Sequence, residues 1–361
     1  MDWVPEQKND LFLKGQSKRI WAELYKVLDC SDVVLHVIDA RDVPGTKCDA
    51  ISKHIQVKKG YLYIYIKLNH FPVSCALVAS LFARPTSRPG LMLTLVASLV
   101  ALPRIDRPAQ HKAKHKHLVY ILNKIDMVPT WVAKRWVGEL SKERPTIAFH
   151  ASITHAFGKG ALISLLRQFS KLMSDKKQIS VGVVGYPNSG KSSVINTLIG
   201  KKSCKVAPVP GETKIWQYIT LMKRIYLIDC PGVVVDRSDD SDVNSVLRGV
   251  VRAERLPAPE DFVPAVLERV KRPYVAACFG IPEKGEGTWS SPEDLLDMIC
   301  KKTGRLRKGG EPDRFMAAVS VINAYQRGKL PHFVAPPELK DGEEASKVSL
   351  LKKNIYIYNE E

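Results

Sequence analysis

The segment GYPNSGKS, residues 185–192, constrains the fold more than any other part of the sequence. It follows the apolar run ISVGVVG (179–185) and precedes the apolar run VINTLI (194–199). A strand, a glycine-rich loop of this spacing and a helix together predict a phosphate-binding loop (P-loop) rather than a chance turn. Its glycines let backbone N–H groups surround phosphates, and the helix N-terminus adds a favourable dipole. Lys191 is therefore predicted to reach the β- and γ-phosphates and Ser192 to bind Mg²⁺, which prefers hard oxygen ligands.

Two segments after the P-loop are predicted to complete a triphosphate site. The tetrapeptide DCPG, 229–232, ends an apolar strand, as an aspartate of the Walker-B type does. Asp229 is predicted to hold Mg²⁺ through water, and the Gly232 N–H to meet the γ-phosphate. Thr213, in VPGETK, would donate its hydroxyl to Mg²⁺ only when a triphosphate is present, which makes its loop an order–disorder switch. The alternative for Thr213 is an exposed loop threonine.

The tetrapeptide NKID, residues 123–126, closes another apolar strand and is predicted to read guanine. A carboxylate at Asp126 accepts hydrogen bonds from guanine N1–H and N2–H₂, and adenine lacks both donors. Asn123 is expected to contact the other base edge and the P-loop, while Lys124 covers the ring plane. The backbone N–H groups of Ala151 and Ser152, which follow the next strand, are predicted to meet the guanine oxygen. The predicted nucleotide-binding set comprises Asn123, Lys124, Asp126, Ala151, Ser152, Gly185, Pro187, Asn188, Ser189, Gly190, Lys191, Ser192, Ser193, Asp229 and Gly232, with Lys191, Thr213 and Gly232 as catalytic residues and Ser192, Thr213 and Asp229 as Mg²⁺ ligands.

The base-reading segments precede the phosphate-binding segments, which reverses the usual order along the chain. A guanine site requires only that its loops meet at one edge of a sheet, so a circular permutation can deliver the same site. In this order the strand ending at Asp229 leads directly into the C-terminal part of the chain. Movement of the phosphate-sensing loop would then pass to that part through a short covalent connection.

Strand and helix patterns alternate from residue 31 to residue 240, among them a helix at TWVAKRWVGELSKE (130–143) and a strand at TIAFHAS (146–152). This alternation predicts a doubly wound α/β sheet. An amphipathic N-terminal helix is predicted within 1–30, a helical C-terminal domain at 241–335, and a mobile tail at 336–361. In the helical part, Ser291 is predicted to cap a helix that begins at Pro292 and has its apolar face at Leu295, Leu296 and Ile299.

Residues 60–116 do not fit this pattern. They contain one acidic residue, Asp106, and repeat LVASL at 77–81 and 95–99. Their apolar runs are shorter than the ~20 residues that cross a bilayer. Two explanations remain: a genuine surface insertion, or non-coding sequence translated in error, and we favour the second because long structureless insertions are uncommon in compact domains.

The 361 residues carry a formal net charge of +18. Such an excess favours a polyanionic partner, RNA or an anionic membrane, over a merely soluble basic surface. The basic runs 267–273 and 301–308 are interpreted either as RNA phosphate contacts or as solvated helix surfaces. Seven cysteines without a CxxC pair indicate buried or free thiols in a reducing compartment. The N-terminus lacks the pattern of a signal peptide.

The motifs in this order resemble the circularly permuted GTPases of the YlqF/YawG type. The resemblance covers about residues 8–335, apart from 60–116. Relative to the family pattern, we expect residues 1–30 to be a truncated N-terminal extension and the long basic C-terminal tail to be absent. The segments that carry the resemblance are DLFLKGQSKRIWAELYKVLDCSDVVLHVIDARD, NKIDMVPTWVAKRWVGEL, PTIAFHASITHAFGKGALISLLRQF, VGYPNSGKSSVINTL, PGETKIWQYI and RIYLIDCPGVV.

This resemblance implies a circularly permuted Ras-like P-loop GTPase sheet (α/β) with a small all-α C-terminal domain. It implies GTP/GDP and Mg²⁺ as cofactors and assembly of the large (60S) ribosomal subunit as the function. Pre-60S RNA and proteins are the implied partners, in the nucleus and nucleolus, with no membrane and no DNA, and the chain is expected to be monomeric. The alternative is a GTP-dependent placeholder that binds RNA or the ribosome without significant hydrolysis.

The position after DCPG indicates slow hydrolysis. Many GTPases place there a glutamine that orients the attacking water, and this chain has Val233. Valine neither donates nor accepts a hydrogen bond, so a slow intrinsic rate is predicted. The family resemblance implies K⁺ as an external activating group with Asn188 as its ligand; the alternative is that Asn188 caps the loop.

Overall fold

The computed structural model describes residues 18–55, 116–204, 216–234, 242–282, 288–307 and 309–337. Residues 51–55, the described part of a second unit of the chain, are helical. The other described residues belong to one compact unit. The predictions for Thr213, for most of 60–116 and for nearly all of the tail at 336–361 lie outside the described residues.

The described residues form a six-stranded sheet in the order β3-β2-β1-β4-β6-β5. Five neighbouring strands run parallel, and β5 runs antiparallel to β6 at the edge. The parallel, doubly wound sheet predicted from alternating patterns is thereby confirmed. The strands are β1 Val33–Asp39, β2 His117–Asn123, β3 Thr146–Ala148, β4 Ile179–Gly185, β5 Gln217–Met222 and β6 Ile225–Asp229.

The register of the parallel strands positions the site. Asp39 pairs with Asn123 across β1 and β2, Val37 pairs with Gly185 across β1 and β4, and Val183 pairs with Asp229 across β4 and β6. The carboxyl ends of these four strands therefore lie at one edge of the sheet, where α/β folds bind ligands.

Most strands and helices of the described residues up to 234 follow the predicted patterns. The helix predicted at TWVAKRWVGELSKE has those bounds, and its buried residues recur at helical spacing. β3 is shorter than the predicted strand TIAFHAS, because pairing with β2 stops at Ala148. The helices are α1 Lys18–Cys30, α2 Val43–Thr46, α3 Thr130–Glu143, α4 Lys159–Leu172 and α5 Lys191–Ile199, followed in the C-terminal part by α6 Asp242–Leu247, α7 Val263–Arg269, α8 Arg272–Phe279, α9 Pro292–Thr303 and α10 Arg314–Gln326.

The C-terminal part is helical, as predicted. Ser291 forms a reciprocal capping box with Asp294: its hydroxyl accepts from the Asp294 N–H, and the Asp294 carboxylate accepts from the Ser291 N–H, both at 3.2 Å. The predicted apolar face of α9 is buried at Leu295, Leu296 and Ile299.

Two apolar clusters stabilise the described C-terminal helices, and one of them includes residues from the sheet-forming part of the chain. Tyr186 of the P-loop and Val234 pack with Val246, Val250 and Ile322. Side chains from both sides of residue 241 thus share one core. The domain boundary predicted there stays a prediction.

Within the described ranges, no helix combines the length and apolarity needed to cross a bilayer. All six cysteines there are free thiols.

Candidate nucleotide-binding site

The NKID segment and the P-loop are in direct contact. The Asn123 Nδ2 donates to the Ser189 carbonyl at 2.8 Å, and the Lys124 Nζ donates to the Asn188 carbonyl at 2.6 Å. Sixty-six residues separate Asn123 from Ser189 along the chain. The contact predicted between Asn123 and the P-loop is present, so the loops meet despite their reversed order.

The P-loop backbone requires glycine where the two segments approach most closely. Gly190 has φ 96°, and a Cβ at this position would lie 2.3 Å from the Asn123 Nδ2. Gly185 has φ 150°, and a Cβ there would lie 2.4 Å from the Val37 carbonyl oxygen. Asn188 also adopts a left-handed conformation, with φ 57°. Any larger residue at 190 would separate the P-loop from NKID.

Lys191, at the start of α5, lies buried beneath the loop. Its Nζ donates to the Tyr186 carbonyl at 2.7 Å, and the Ser189 hydroxyl donates to the same carbonyl at 2.9 Å. Burial lowers the pKa of Lys191 to about 8, although the charge of Asp229 opposes the shift. A phosphate beside this ammonium would satisfy a charge that the protein leaves only partly compensated.

Ser192 and Asp229 are paired, as two predicted Mg²⁺ ligands would be. The Ser192 hydroxyl donates to the Asp229 Oδ2 at 2.8 Å. The Asp229 Oδ1 is buried without a hydrogen-bond partner among the described residues, and burial raises the pKa of this carboxyl. An unpaired buried carboxylate oxygen is costly, and a hard cation would satisfy it. The residues present thus fit Mg²⁺, which the Ser192 hydroxyl and the Asp229 carboxylate would hold.

The turn after β6 packs against the P-loop. A Cβ on Gly232 would lie 2.7 Å from the Pro187 Cα, so this close approach requires glycine. The next residue, Val233, is buried, and its N–H donates to the Gly185 carbonyl at 3.3 Å. The residue predicted to stand where many GTPases hold glutamine is therefore a buried apolar side chain.

Asp126 lies at the rim of the site, in a 3-10 turn at Ile125–Met127. Its side chain is 40% exposed, and its Oδ1 lies 2.7 Å from the His150 Nδ1. His150 immediately precedes Ala151 and Ser152, which brings the two predicted base-contacting segments together. The Ser152 hydroxyl accepts from the His155 N–H at 3.2 Å, and Ala151 packs against the sheet core. A guanine bound at Asp126 would have to share the carboxylate with His150.

Ser193, also in the predicted set, lies in the first turn of α5. Its carbonyl accepts from the Thr197 hydroxyl at 2.8 Å.

Two contacts of the site were missed by sequence reasoning. Asp39, at the end of β1, accepts from the Lys124 Nζ at 2.9 Å and from the Arg41 guanidinium. The polar segment DARD after a buried strand could have indicated that Asp39 lies at the site, but nothing in the sequence indicated that Lys124 is its partner. The Asn188 Nδ2 donates to the Gly249 carbonyl at 2.7 Å, an arrangement that neither interpretation of Asn188 included.

Comparisons with known proteins match the chain to GTP-binding proteins. Residues 180–270 match the family described as 50S ribosome-binding GTPase. Nucleolar GTP-binding protein 2 of Saccharomyces cerevisiae is 47% identical over 351 residues, which cover 97% of this chain and 60% of that protein. The protein of the same name from Cryptococcus neoformans var. grubii is 50% identical over 333 residues, covering 91% and 40%. The chain thus spans about half the length of the curated relatives it matches.

The crystal structure of GNP-bound YlqF from T. maritima superposes with a TM-score of 0.50 at 20% identity, covering 89% of this chain and 100% of that one. That likeness supports the fold, and the fold and site together define a P-loop GTPase with a circularly permuted sheet. Over most of its length the chain is similar to curated proteins that carry the name Nucleolar GTP-binding protein 2.

Proposed function

We propose that this chain binds GTP with Mg²⁺, hydrolyses it slowly, and acts as an assembly factor for the large (60S) ribosomal subunit on pre-ribosomal RNA. The observation that carries the nucleotide part is the contact of NKID with the P-loop through Asn123 and Lys124. The ribosomal part rests on the relatives, whose names describe nucleolar GTP-binding proteins, and on the net charge of +18. The proposed location is the nucleus and nucleolus.

The proposed roles divide the site into a phosphate half and a base half. In the phosphate half, Lys191 binds the β- and γ-phosphates, Ser192 and Asp229 hold Mg²⁺, and the Gly232 N–H meets the γ-phosphate. Mg²⁺ supplies charge compensation for the phosphates when it is bound. In the base half, Asp126 accepts from guanine. Thr213, outside the described residues, is proposed as the ligand that responds to the triphosphate.

The slow rate is proposed from Val233, which is buried and has no polar group to orient water. The same observation supports the alternative function, a GTP-dependent placeholder on RNA whose hydrolysis is incidental.

K⁺ with Asn188 as ligand is proposed as an activating group. The Asn188 Nδ2 bond to Gly249 is compatible with this, because the amide Oδ1 is a separate acceptor. Turnover that is equal in KCl and NaCl, with no loss in Asn188→Ala, would contradict the K⁺ proposal.

The first test is the nucleotide preference of the purified chain, with and without residues 60–116. We expect GTP to bind at least about 100-fold more tightly than ATP, because adenine leaves the Asp126 carboxylate unpaired. Deletion of 60–116 is expected to preserve this ratio, since every described residue of the site lies outside that segment. Equal affinities for GTP and ATP in isothermal titration would contradict the proposal.

RNA binding is expected to depend steeply on salt and to use the exposed lysines of the C-terminal basic runs. Arg272 is less suited, because its guanidinium donates to the Trp289 carbonyl and lies over the Trp289 ring. Lys271 and Lys301 are exposed. Substituting both by alanine should reduce the slope of log K against log salt by about 0.7 to 1 per lysine.

The matched control for this experiment is Lys142→Ala, which removes a lysine already paired with Glu139 at 2.6 Å. Filter binding to large-subunit precursor RNA between about 50 and 200 mM salt measures the slopes. An affinity that does not change with salt would exclude phosphate contacts as the basis of binding.

A further inference from the structure

We propose that Asp39 is a positioning residue of the nucleotide site: it holds the Lys124 ammonium against the P-loop, so that Lys124 is pre-oriented for the base. The inference rests on the proposed function, since it assigns a partner to the lysine of NKID. Asp39 itself is not proposed to touch the nucleotide.

The Lys124 side chain is held from two sides. Its Nζ donates to the Asp39 Oδ2 at 2.9 Å and to the Asn188 carbonyl at 2.6 Å. The two acceptors come from the end of β1 and from the P-loop, 85 and 64 residues away along the chain. Lysine is a flexible side chain with a single ammonium, so two fixed acceptors remove most of its freedom before any ligand arrives.

The Lys124 backbone makes the same position unusual. It has φ 63°, a left-handed conformation that non-glycine residues seldom adopt. Such strain persists only where the surroundings over-determine it. Asn123 and Lys124 both bond the P-loop, and Asp39 supplies the anion that keeps Lys124 there.

Asp39 is itself rigidly oriented. Its Oδ1 accepts from the Arg41 N–H at 3.0 Å and from the Arg41 Nε at 3.1 Å, and its Oδ2 accepts from the Arg41 Nη2 at 2.8 Å. Burial alone would raise the pKa of Asp39, but the charges of Lys124 and Arg41 outweigh burial and hold it well below its usual range. The carboxylate is therefore an anion with both oxygens engaged, and charge-assisted bonds of this kind are strong and directional.

The alternative is that Asp39 has a purely structural role through its ion pair with Arg41. Arg41 is suited to such a role. It also donates to the Gln326 carbonyl at 3.1 Å and so joins the end of β1 to the end of α10. If Asp39 existed only to neutralise Arg41, its bond to Lys124 would be dispensable for nucleotide binding. The two possibilities separate in a double-mutant cycle, because a positioning residue acts only through its partner.

The cycle compares wild type, Asp39→Asn, Lys124→Ala and the double variant, with GDP as the probe and the full chain as the protein. We expect Asp39→Asn to weaken GDP binding about 10-fold. In the Lys124→Ala background the same change should weaken it by less than about 2-fold. A thermal melt of each variant measures the loss of stability caused by Asp39→Asn. We expect this loss both in the wild-type background and in the Lys124→Ala background.

Asp42→Asn is the matched control. Asp42 also follows β1, but it pairs with the Arg248 Nε at 2.7 Å and caps the Gly45 N–H at 2.8 Å. We expect it to lower the melting temperature without a change in GDP affinity beyond about 2-fold. If Asp39→Asn does not fold, Asp39→Glu retains the charge beside Arg41 but displaces the acceptor by one methylene, and a smaller loss of the same sign is expected.

The inference is overturned if folded Asp39 variants bind GDP as tightly as wild type, or if the losses of Asp39→Asn and Lys124→Ala multiply in the double variant. A wild-type chain that binds no GDP would instead overturn the proposed function, so the two failures are distinguishable.

Discussion

Asp126→Asn is expected to change the nucleotide from GTP to xanthosine triphosphate. Guanine presents two donors to the carboxylate, whereas xanthine carries an oxygen where guanine has its N2 amino group. The asparagine amide donates to that oxygen, and it leaves the guanine amino group facing a donor. A buried polar group left without a hydrogen-bond partner is costly, so GTP affinity should fall at least about 100-fold. The affinity for xanthosine triphosphate should rise. Competition binding against labelled nucleotide measures both changes.

His150→Ala is the control for this exchange. It removes the side chain 2.7 Å from the Asp126 Oδ1 but leaves the carboxylate. We expect its preference for GTP over xanthosine triphosphate to match that of wild type. If xanthosine triphosphate does not replace GTP in Asp126→Asn, then Asp126 does not read the base.

Lys191→Ala is expected to reduce GTP affinity about 100-fold or more, because it removes the buried ammonium proposed to bind the β- and γ-phosphates. The stability of the nucleotide-free protein should rise or stay the same. Burial lowers the pKa of Lys191 to about 8, so the charged form carries a desolvation penalty in the folded state that alanine does not. Nucleotide titration together with thermal melting in the absence of nucleotide measures both effects.

Lys201→Ala provides the control, since this exposed lysine follows α5 and has no contact with the P-loop carbonyls described above. An unchanged GTP affinity in Lys191→Ala would contradict the phosphate role.

Lys191→Ala and Thr213→Ala together distinguish the two candidate functions, a GTPase switch and a GTP-dependent placeholder. A switch requires mutant protein that stays on precursor particles, whereas a placeholder predicts normal assembly wherever nucleotide still binds. Sedimentation of precursor particles shows which occurs.

Local patterns predicted the parts of the fold that depend on neighbouring residues. The strand and loop of GYPNSGKS, α3 and the cap at Ser291 each form where their own segment predicted them. β5 was missed because it is an edge strand with several exposed positions, which gives little periodic signal.

The convergence of the site was also predictable in outline, because parallel strands place their carboxyl ends at one edge whatever their order along the chain. The motifs alone therefore predicted a guanine nucleotide site with its loops permuted.

Only the tertiary structure decided which polar groups meet within that site. The bonds of Asp39 to Lys124 and of Asn188 to Gly249 join residues 85 and 61 positions apart. Such pairs depend on strand register and on the packing of the C-terminal helices, where a one-residue shift would separate the partners. A sequence motif specifies the groups that a nucleotide requires, but the orientation of each group depends on neighbours that only folding brings into contact.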